Sequence, residues 1–260
     1  MTLWDAVLLG LVQGATEFLP VSSSGHLVMA QELLAVDVPG VLFEVAVHVA
    51  TLLSIVIVYR GRLIELARGA YAGDRDAYQY IGLLIVATVP AAVVGITAKG
   101  AIEGLFDNPY APGVALLVTG SFLWSSKSAL PRATQSRPGW GAALLIGVAQ
   151  AFALVPGISR SGATVVAALW LGVEAREAAA FSFLMAVPAI AGAAVLQAPE
   201  LAGGTTLSAS VLIGGGVVAA VTGIFAIRAF VAVLRRRAFH LFAPYCWAVG
   251  VVFLLYLRLR

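Results

Sequence analysis

The chain has 260 residues, of which 61% are hydrophobic and only 11% charged, and its mean hydropathy is +0.97. Soluble domains run near ~45–50% apolar and ~25% charged, so a soluble fold of this size is excluded. A net charge of +3, with the arginines scattered between apolar runs, gives no basic patch for nucleic acid. One cysteine, Cys246, excludes an intrachain disulfide framework and a cysteine metal site.

In chain order, residues 3–19 form an apolar segment that ends at Pro20-Val21-Ser22-Ser23-Ser24-Gly25-His26. A short apolar piece follows from Leu27 to about Val36. No Lys or Arg precedes Arg60, so the first segment lacks a signal-peptide n-region and is expected to stay in the mature protein. Full spans are expected at about 42–59, 79–97, 111–127, 179–197, 207–228 and 239–258, each near the ~20 residues a membrane helix needs. Between them, residues 139–155 form a second apolar segment, broken by Pro156-Gly157-Ile158-Ser159-Arg160-Ser161-Gly162 and followed by a piece to Leu171. Polar, broken backbone at membrane depth is tolerated only inside protein or beside a water-filled cavity. Both breaks therefore predict re-entrant helical hairpins.

The two broken segments match at an offset of 137, with nine identities in the 25 positions 6–30. Composition bias explains the Ala, Leu and Val matches, but not Gln13/Gln150, Ser22/Ser159, Ser24/Ser161 and Gly25/Gly162 in register. The expected fold is an all-α polytopic membrane protein in one integral domain, built as an inverted-topology repeat. Repeat one covers about 1–127 and repeat two about 138–260, each holding one re-entrant hairpin and three spans. Interrupted helices at matching places in two halves point to a binding site near the midplane. The loops at 60–78, 127–138, 173–178 and 228–238 carry twelve of the 16 basic residues. By the positive-inside rule they are cytoplasmic, so both termini and the first hairpin's mouth face outward.

Chemistry concentrates at the two breaks. Gln13 and Glu17 lie one helical turn apart on one face, and an ionisable group inside a membrane segment suggests function. A helix opening with Ser22, Ser23, Ser24 and Gly25 offers unpaired N–H groups, a favourable dipole and hydroxyl donors to an anion. In the second break, Arg160 lies between Ser159 and Ser161, before Gly162 and Thr164, and its planar fork suits phosphate oxygens. Together these residues predict a phosphate or diphosphate site. A permanent Arg160–Glu17 ion pair is the structural alternative. Glu44 and His48, one turn apart, read equally as a supporting acid beside the cavity or as an interfacial pair, and Gln150 is a supporting candidate as Gln13's counterpart. His240 reads as interfacial. No metal-ligand spacing is present, although a divalent cation, magnesium or calcium, bridging Glu17 and a diphosphate stays open.

The stretch from Gln13-Gly14-Ala15-Thr16-Glu17-Phe18-Leu19-Pro20 through Val21-Ser22-Ser23-Ser24-Gly25-His26, together with Pro156-Gly157-Ile158-Ser159-Arg160-Ser161-Gly162-Ala163-Thr164, resembles the undecaprenyl-diphosphate phosphatase family linked to bacitracin resistance. Phe43-Glu44 and Phe181-Ser182-Phe183-Leu184 extend the resemblance over essentially the whole chain. It implies hydrolysis of a C55 isoprenyl diphosphate to the monophosphate on the outer face of the plasma (inner) membrane, recycling the lipid carrier for cell-wall synthesis. It also implies inverted repeats with two re-entrant hairpins, often in a homodimer. By position, Glu17, His26 and Arg160 match residues treated as catalytic, and Ser23 matches the nucleophile. Ser22, Ser159, Ser161 and Thr164 fall where the family binds phosphate. One departure stands out: Gln13 replaces a second Glu found in many members, and cannot be a carboxylate base or strong metal ligand. Ser24 stands where Thr is frequent. The expected mechanism is phosphoryl transfer in which Ser23 attacks or orients water, His26 takes or returns a proton, and Glu17 orients His26 or holds a metal. The rival reading is a transporter or flippase of the same lipid.

Overall fold

The computed structural model describes residues 1–34, 42–201 and 207–259. Val36, the expected end of the first short piece, and Arg260 lie outside them. The described chain is helical throughout, apart from one parallel bridge between Gln135 and Val173. The helices are α1 (Leu3–Phe18), α2 (Ser23–Leu34), α3 (Leu42–Tyr71), α4 (Arg75–Thr97), α5 (Lys99–Phe106), α6 (Ala111–Ala129), α7 (Trp140–Phe152), α8 (Arg160–Trp170), α9 (Ala175–Leu201), α10 (Ala209–Arg235) and α11 (Phe242–Leu259), with 3-10 turns at Leu130–Arg132 and Phe239–Leu241. It is an all-α polytopic membrane protein.

The two breaks fall where expected. Helices α1 and α7 begin at residues 3 and 140, and α2 and α8 at residues 23 and 160, so both pairs keep the 137 offset. In each case the two short arms pack on one another. Each break contains one residue with φ > 0, which an L side chain adopts only with strain. In the second turn Gly157 supplies it, at φ 96, whereas in the first Ser22 does, at φ 68. A left-handed serine stores on the order of 1–3 kcal/mol of strain.

Among the described residues, five helices are long and apolar enough to cross a membrane: Leu42–Tyr71, Arg75–Thr97, Ala175–Leu196, Ala209–Arg235 and Phe239–Leu259. The sixth expected span, at 111–127, forms α6, a helix of 19 residues, but it is not among them. Ser121, Ser125, Ser126, Lys127 and Ser128 dilute its apolar content, and Thr119, Gly120 and Ser126 turn inward. The segment 60–78, expected as a loop, is mostly helix. Helix α3 leaves helical geometry only at Tyr59 (φ −100, ψ 15), the expected end of its span, and then resumes to Tyr71.

Without water to drive apolar surfaces together, membrane helices associate through close backbone packing at small residues. Here α1 packs on α10, and α7 packs on α4. Gly10 rests against the Gly215 carbonyl and its counterpart Gly147 against the Ala87 carbonyl, with no room at either place for a Cβ. Gly10→Val and Gly147→Val are therefore expected to lose about 1–3 kcal/mol to overpacking, read as a lower melting temperature in detergent. Gly61→Ala in α3, where a new Cβ meets nothing within 4 Å, is expected to gain up to about 1 kcal/mol from helix propensity. A shared interior holds Phe18, Phe183, Phe230 and Phe239 in successive edge contacts, with ring centroids 5.6, 5.0 and 5.3 Å apart. Large apolar side chains such as Leu53, Ile85, Val217 and Phe225 instead point outward, as a lipid-facing surface requires.

Candidate active site

Helix α1 presents Gln13 and Glu17 one turn apart, and the Gln13 amide donates to Glu17 Oε2 at 3.0 Å. At its end the chain reverses through Leu19 and Pro20 and enters α2 at Ser23. The left-handed Ser22 directs the Ser23 hydroxyl back onto Glu17, where it donates to Oε2 at 2.6 Å. From the second turn, Arg160 Nη2 donates to Glu17 Oε1 at 2.6 Å. Ser23 and Arg160 are each the first residue of their helix, 137 positions apart, and both meet on one carboxylate.

The turns are built alike around it. The hydroxyl of Ser22 accepts from Gly25 N–H at 3.4 Å, and that of Ser159 from Gly162 N–H at 3.1 Å. Ser22 and Ser24 lie 3.3 Å apart through their hydroxyls, as do Ser159 and Ser161. Such side-chain caps satisfy N–H groups left open at a helix start. The turns also hold each other. Ser161 donates to the Leu19 carbonyl at 3.2 Å, and a Cβ on Gly25 would come within 3.1 Å of Gly157 Cα. From α6, Thr119 donates to the Gly157 carbonyl at 2.8 Å and accepts from Ser159 N–H at 3.1 Å.

Glu17, Ser22, Ser23, Ser24, Ser159 and Arg160 line a cavity of about 760 Å³. Glu44, His48 and Gln150 also reach it, while its further wall is apolar, with Ala91, Ile96, Phe106, Pro188 and Val195. His48 Nε2 stands 3.6 Å from Glu17 Oε2, and its Nδ1 hydrogen-bonds the Glu44 carbonyl at 2.7 Å. Glu44 in turn accepts from Gln31 at 3.0 Å. Both side chains thus line the cavity. Arg160 uses one amino group on Glu17, and its buried Nη1 has no protein partner. The Gln13 carbonyl oxygen and both amide atoms of the buried Gln150 are likewise unpaired.

Two expectations, for Thr164 and His26, meet a different geometry. Thr164 is buried and bonded to the Arg160 carbonyl and Ser182, both at 2.7 Å, so it supports the turn from behind. His26 is not brought to Ser23. Its Nδ1 bonds the Ser22 carbonyl at 2.8 Å and its Nε2 the Tyr245 hydroxyl at 2.8 Å, and the histidine beside Glu17 is His48. His240 packs edge-on against Trp124 at 5.9 Å. Tyr245 and Thr119 were not singled out in the sequence, and Ser182 entered only within the Phe181-Ser182-Phe183-Leu184 stretch. Only Thr119 and Ser182 carried a signal, as hydroxyls inside apolar helices.

The side chains do not compose a cation cage. Among the described residues no three His, Cys, Asp or Glu side chains converge. The Glu17 carboxylate already takes Arg160, Ser23 and Gln13, and Gln13 is neutral where a second carboxylate would be needed. The arrangement instead offers an anion two helix N-termini, a half-free guanidinium and a hydroxyl held on a carboxylate.

The family described as bacitracin resistance protein BacA matches residues 6–252. The chain is 42% identical over 259 residues to an undecaprenyl-diphosphatase of Syntrophotalea carbinolica, covering 97% of this chain and 98% of that one. It is 41% identical to an undecaprenyl-diphosphatase of Salinibacter ruber, over 96% of this chain and 97% of that one. It is 38% identical to another from Desulforapulum autotrophicum, over 97% of each.

Proposed function

The chain belongs to the bacitracin resistance protein BacA family, and on that premise we propose that it hydrolyses undecaprenyl diphosphate to undecaprenyl phosphate and inorganic phosphate at Glu17, Ser23 and Arg160. The observation that carries this reading is the Ser23 hydroxyl held at 2.6 Å on a carboxylate that Arg160 also grips. Phosphoryl transfer depends chiefly on positioning and charge neutralisation. Arg160 keeps Nη2 on Glu17 and turns its unpaired Nη1 to a phosphate oxygen, while the two helix N-termini oppose the remaining charge. Ser23 Oγ attacks the terminal phosphorus, Glu17 Oε2 takes the hydroxyl proton, and the P–O bond to the bridging oxygen breaks to release the lipid monophosphate. Water then cleaves the phosphoserine, one of its hydrogens returning to Ser23 Oγ and Glu17 giving its proton to the departing inorganic phosphate, which restores both residues. The apolar wall on α4, α5 and α9 suits the isoprenyl chain.

A flippase of the same lipid would need the arginine turn but not a hydroxyl docked on a carboxylate, so it is the weaker reading. The deciding measurement is phosphate release from purified protein supplied with undecaprenyl diphosphate. Release at a rate no higher than that of an empty-membrane control would sink the hydrolase reading.

The matched offsets of α1/α7 and α2/α8, and the reciprocal packing of α1 on α10 and α7 on α4, support two inverted repeats with re-entrant hairpins. The twelve basic residues of the 60–78, 127–138, 173–178 and 228–238 segments support a cytoplasmic side there, with the cavity opening outward from the plasma membrane. Single cysteines in 60–78 and 228–238, in a Cys246→Ala background, are expected to resist an impermeant thiol reagent in whole cells. Labelling of both from outside would reverse the orientation.

A further inference from the structure

The only L residue of the two turns held at positive φ is Ser22, and its carbonyl is held in turn. It accepts both the His26 backbone N–H at 3.2 Å and His26 Nδ1–H at 2.8 Å. A carbonyl can only accept, so this bond places a proton on Nδ1, and in the neutral imidazole Nε2 is then the acceptor. In that tautomer the Tyr245 hydroxyl donates to Nε2 at 2.8 Å. The two rings also lie nearly parallel, 7° apart, with centroids at 5.8 Å.

With both nitrogens engaged, His26 faces away from the Ser23 hydroxyl. Ser23, Ser24, Leu27 and Val28 of α2 line the cavity, and His26 does not. Helix α11 touches the same turn a second time, through Cys246 Sγ and the Pro20 carbonyl at 3.7 Å. The second turn shows what the anchor is for. There Ser159, the position equivalent to Ser22, has φ −73 and is unstrained, the left-handed residue is Gly157, which needs no restraint, and the position equivalent to His26 is Ala163.

We propose that Tyr245 is a positioning residue: through His26 it fixes the strained Ser22 carbonyl, and so keeps Ser23 Oγ on Glu17. His26 acts in this relay as a fixed N–H donor. The inference rests on the hydrolase reading of the site, and deepens it. Since the contact lies behind the turn, its loss is expected to slow the chemical step and leave substrate binding unchanged.

The test compares wild type, Tyr245→Phe, His26→Ala and His26→Asn with undecaprenyl diphosphate as substrate. Tyr245→Phe keeps the ring and removes one hydrogen bond, so kcat is expected to fall roughly three- to tenfold with KM unchanged. Asparagine places an amide donor where Nδ1 stood but cannot carry a proton. His26→Asn is accordingly expected to recover at least about tenfold of the kcat lost in His26→Ala, on the scale that misplacement of a reacting group costs. Adding Tyr245→Phe to His26→Asn should change nothing further. A wild-type kcat in Tyr245→Phe, or His26→Asn no better than His26→Ala, would overturn the proposal and return a proton-carrying role to His26. A second readout is independent of turnover. Nitrogen-15 histidine NMR should show the Nδ1–H tautomer at His26, with an Nε2 signal that moves in Tyr245→Phe. An Nε2 signal indifferent to that substitution overturns the relay, whereas an inactive wild type overturns the hydrolase reading instead.

Discussion

Arg160→Ala is expected to abolish turnover and Arg160→Lys to lose most of it. An arginine that stabilises the charge of a phosphoryl-transfer transition state is worth ~10³–10⁵ in rate. The side chain is 15% exposed, and partial exposure argues for the lower end of that range. Lysine keeps the charge but supplies a point donor on a flexible stem. It cannot hold Glu17 Oε1 with one amino group and a phosphate oxygen with another, as the fork of Arg160 does. The alanine variant also strands Glu17, which is 7% exposed, and removing one partner of a buried ion pair typically costs about 3–5 kcal/mol. Stability and turnover must therefore be measured separately. In Arg160→Ala/Glu17→Gln the stranded charge is gone, so the melting temperature is expected to return toward wild type while turnover stays absent. Recovery of turnover in the double variant would make the pair structural only.

Ser23→Ala carries the second large effect. Phosphate release is expected to fall by on the order of 10³ or more, the scale on which loss of an activated nucleophile acts. Folding should change little, within about 1 kcal/mol. Glu17 Oε2 still takes the Gln13 amide at 3.0 Å and keeps His48 at 3.6 Å, so the carboxylate is not left bare. Binding of a non-hydrolysable methylenediphosphonate analogue of the lipid should persist, since Arg160 and both helix N-termini remain. Turnover near wild type would remove Ser23 from the chemistry. Loss of analogue binding together with turnover would make it a ligand-holding hydroxyl rather than a nucleophile.

Much of this was legible in the chain itself, because it depends on neighbours in sequence. Composition dictated a membrane solvent. Proline, glycine and serine at 20–25 and 156–162 broke the helices, since a polar turn at those places satisfies backbone groups that a lipid environment would leave unpaired. The spacing of Gln13 and Glu17 set a shared face, and their hydrogen bond follows from helix geometry alone. The 137 offset of Ser23 and Arg160 was likewise visible in the residues.

The tertiary structure decided which of these groups meet. Glu17 and Arg160 are 143 residues apart, and His26 and Tyr245 are 219 apart. No local periodicity encodes such pairs. They depend on how closely α1 settles on α10 and α7 on α4, which Gly10 and Gly147 permit. Proximity in sequence also misled at one place. His26 follows Ser23 by three residues, yet the left-handed Ser22 turns the Ser23 hydroxyl to Glu17 while His26 reaches back to the Ser22 carbonyl and across to α11. The histidine that stands by the carboxylate is His48, on α3, because α3 forms the neighbouring cavity wall. A side chain's chemistry is written in its residue type, but its partner is chosen by packing, and packing is a property of the whole bundle.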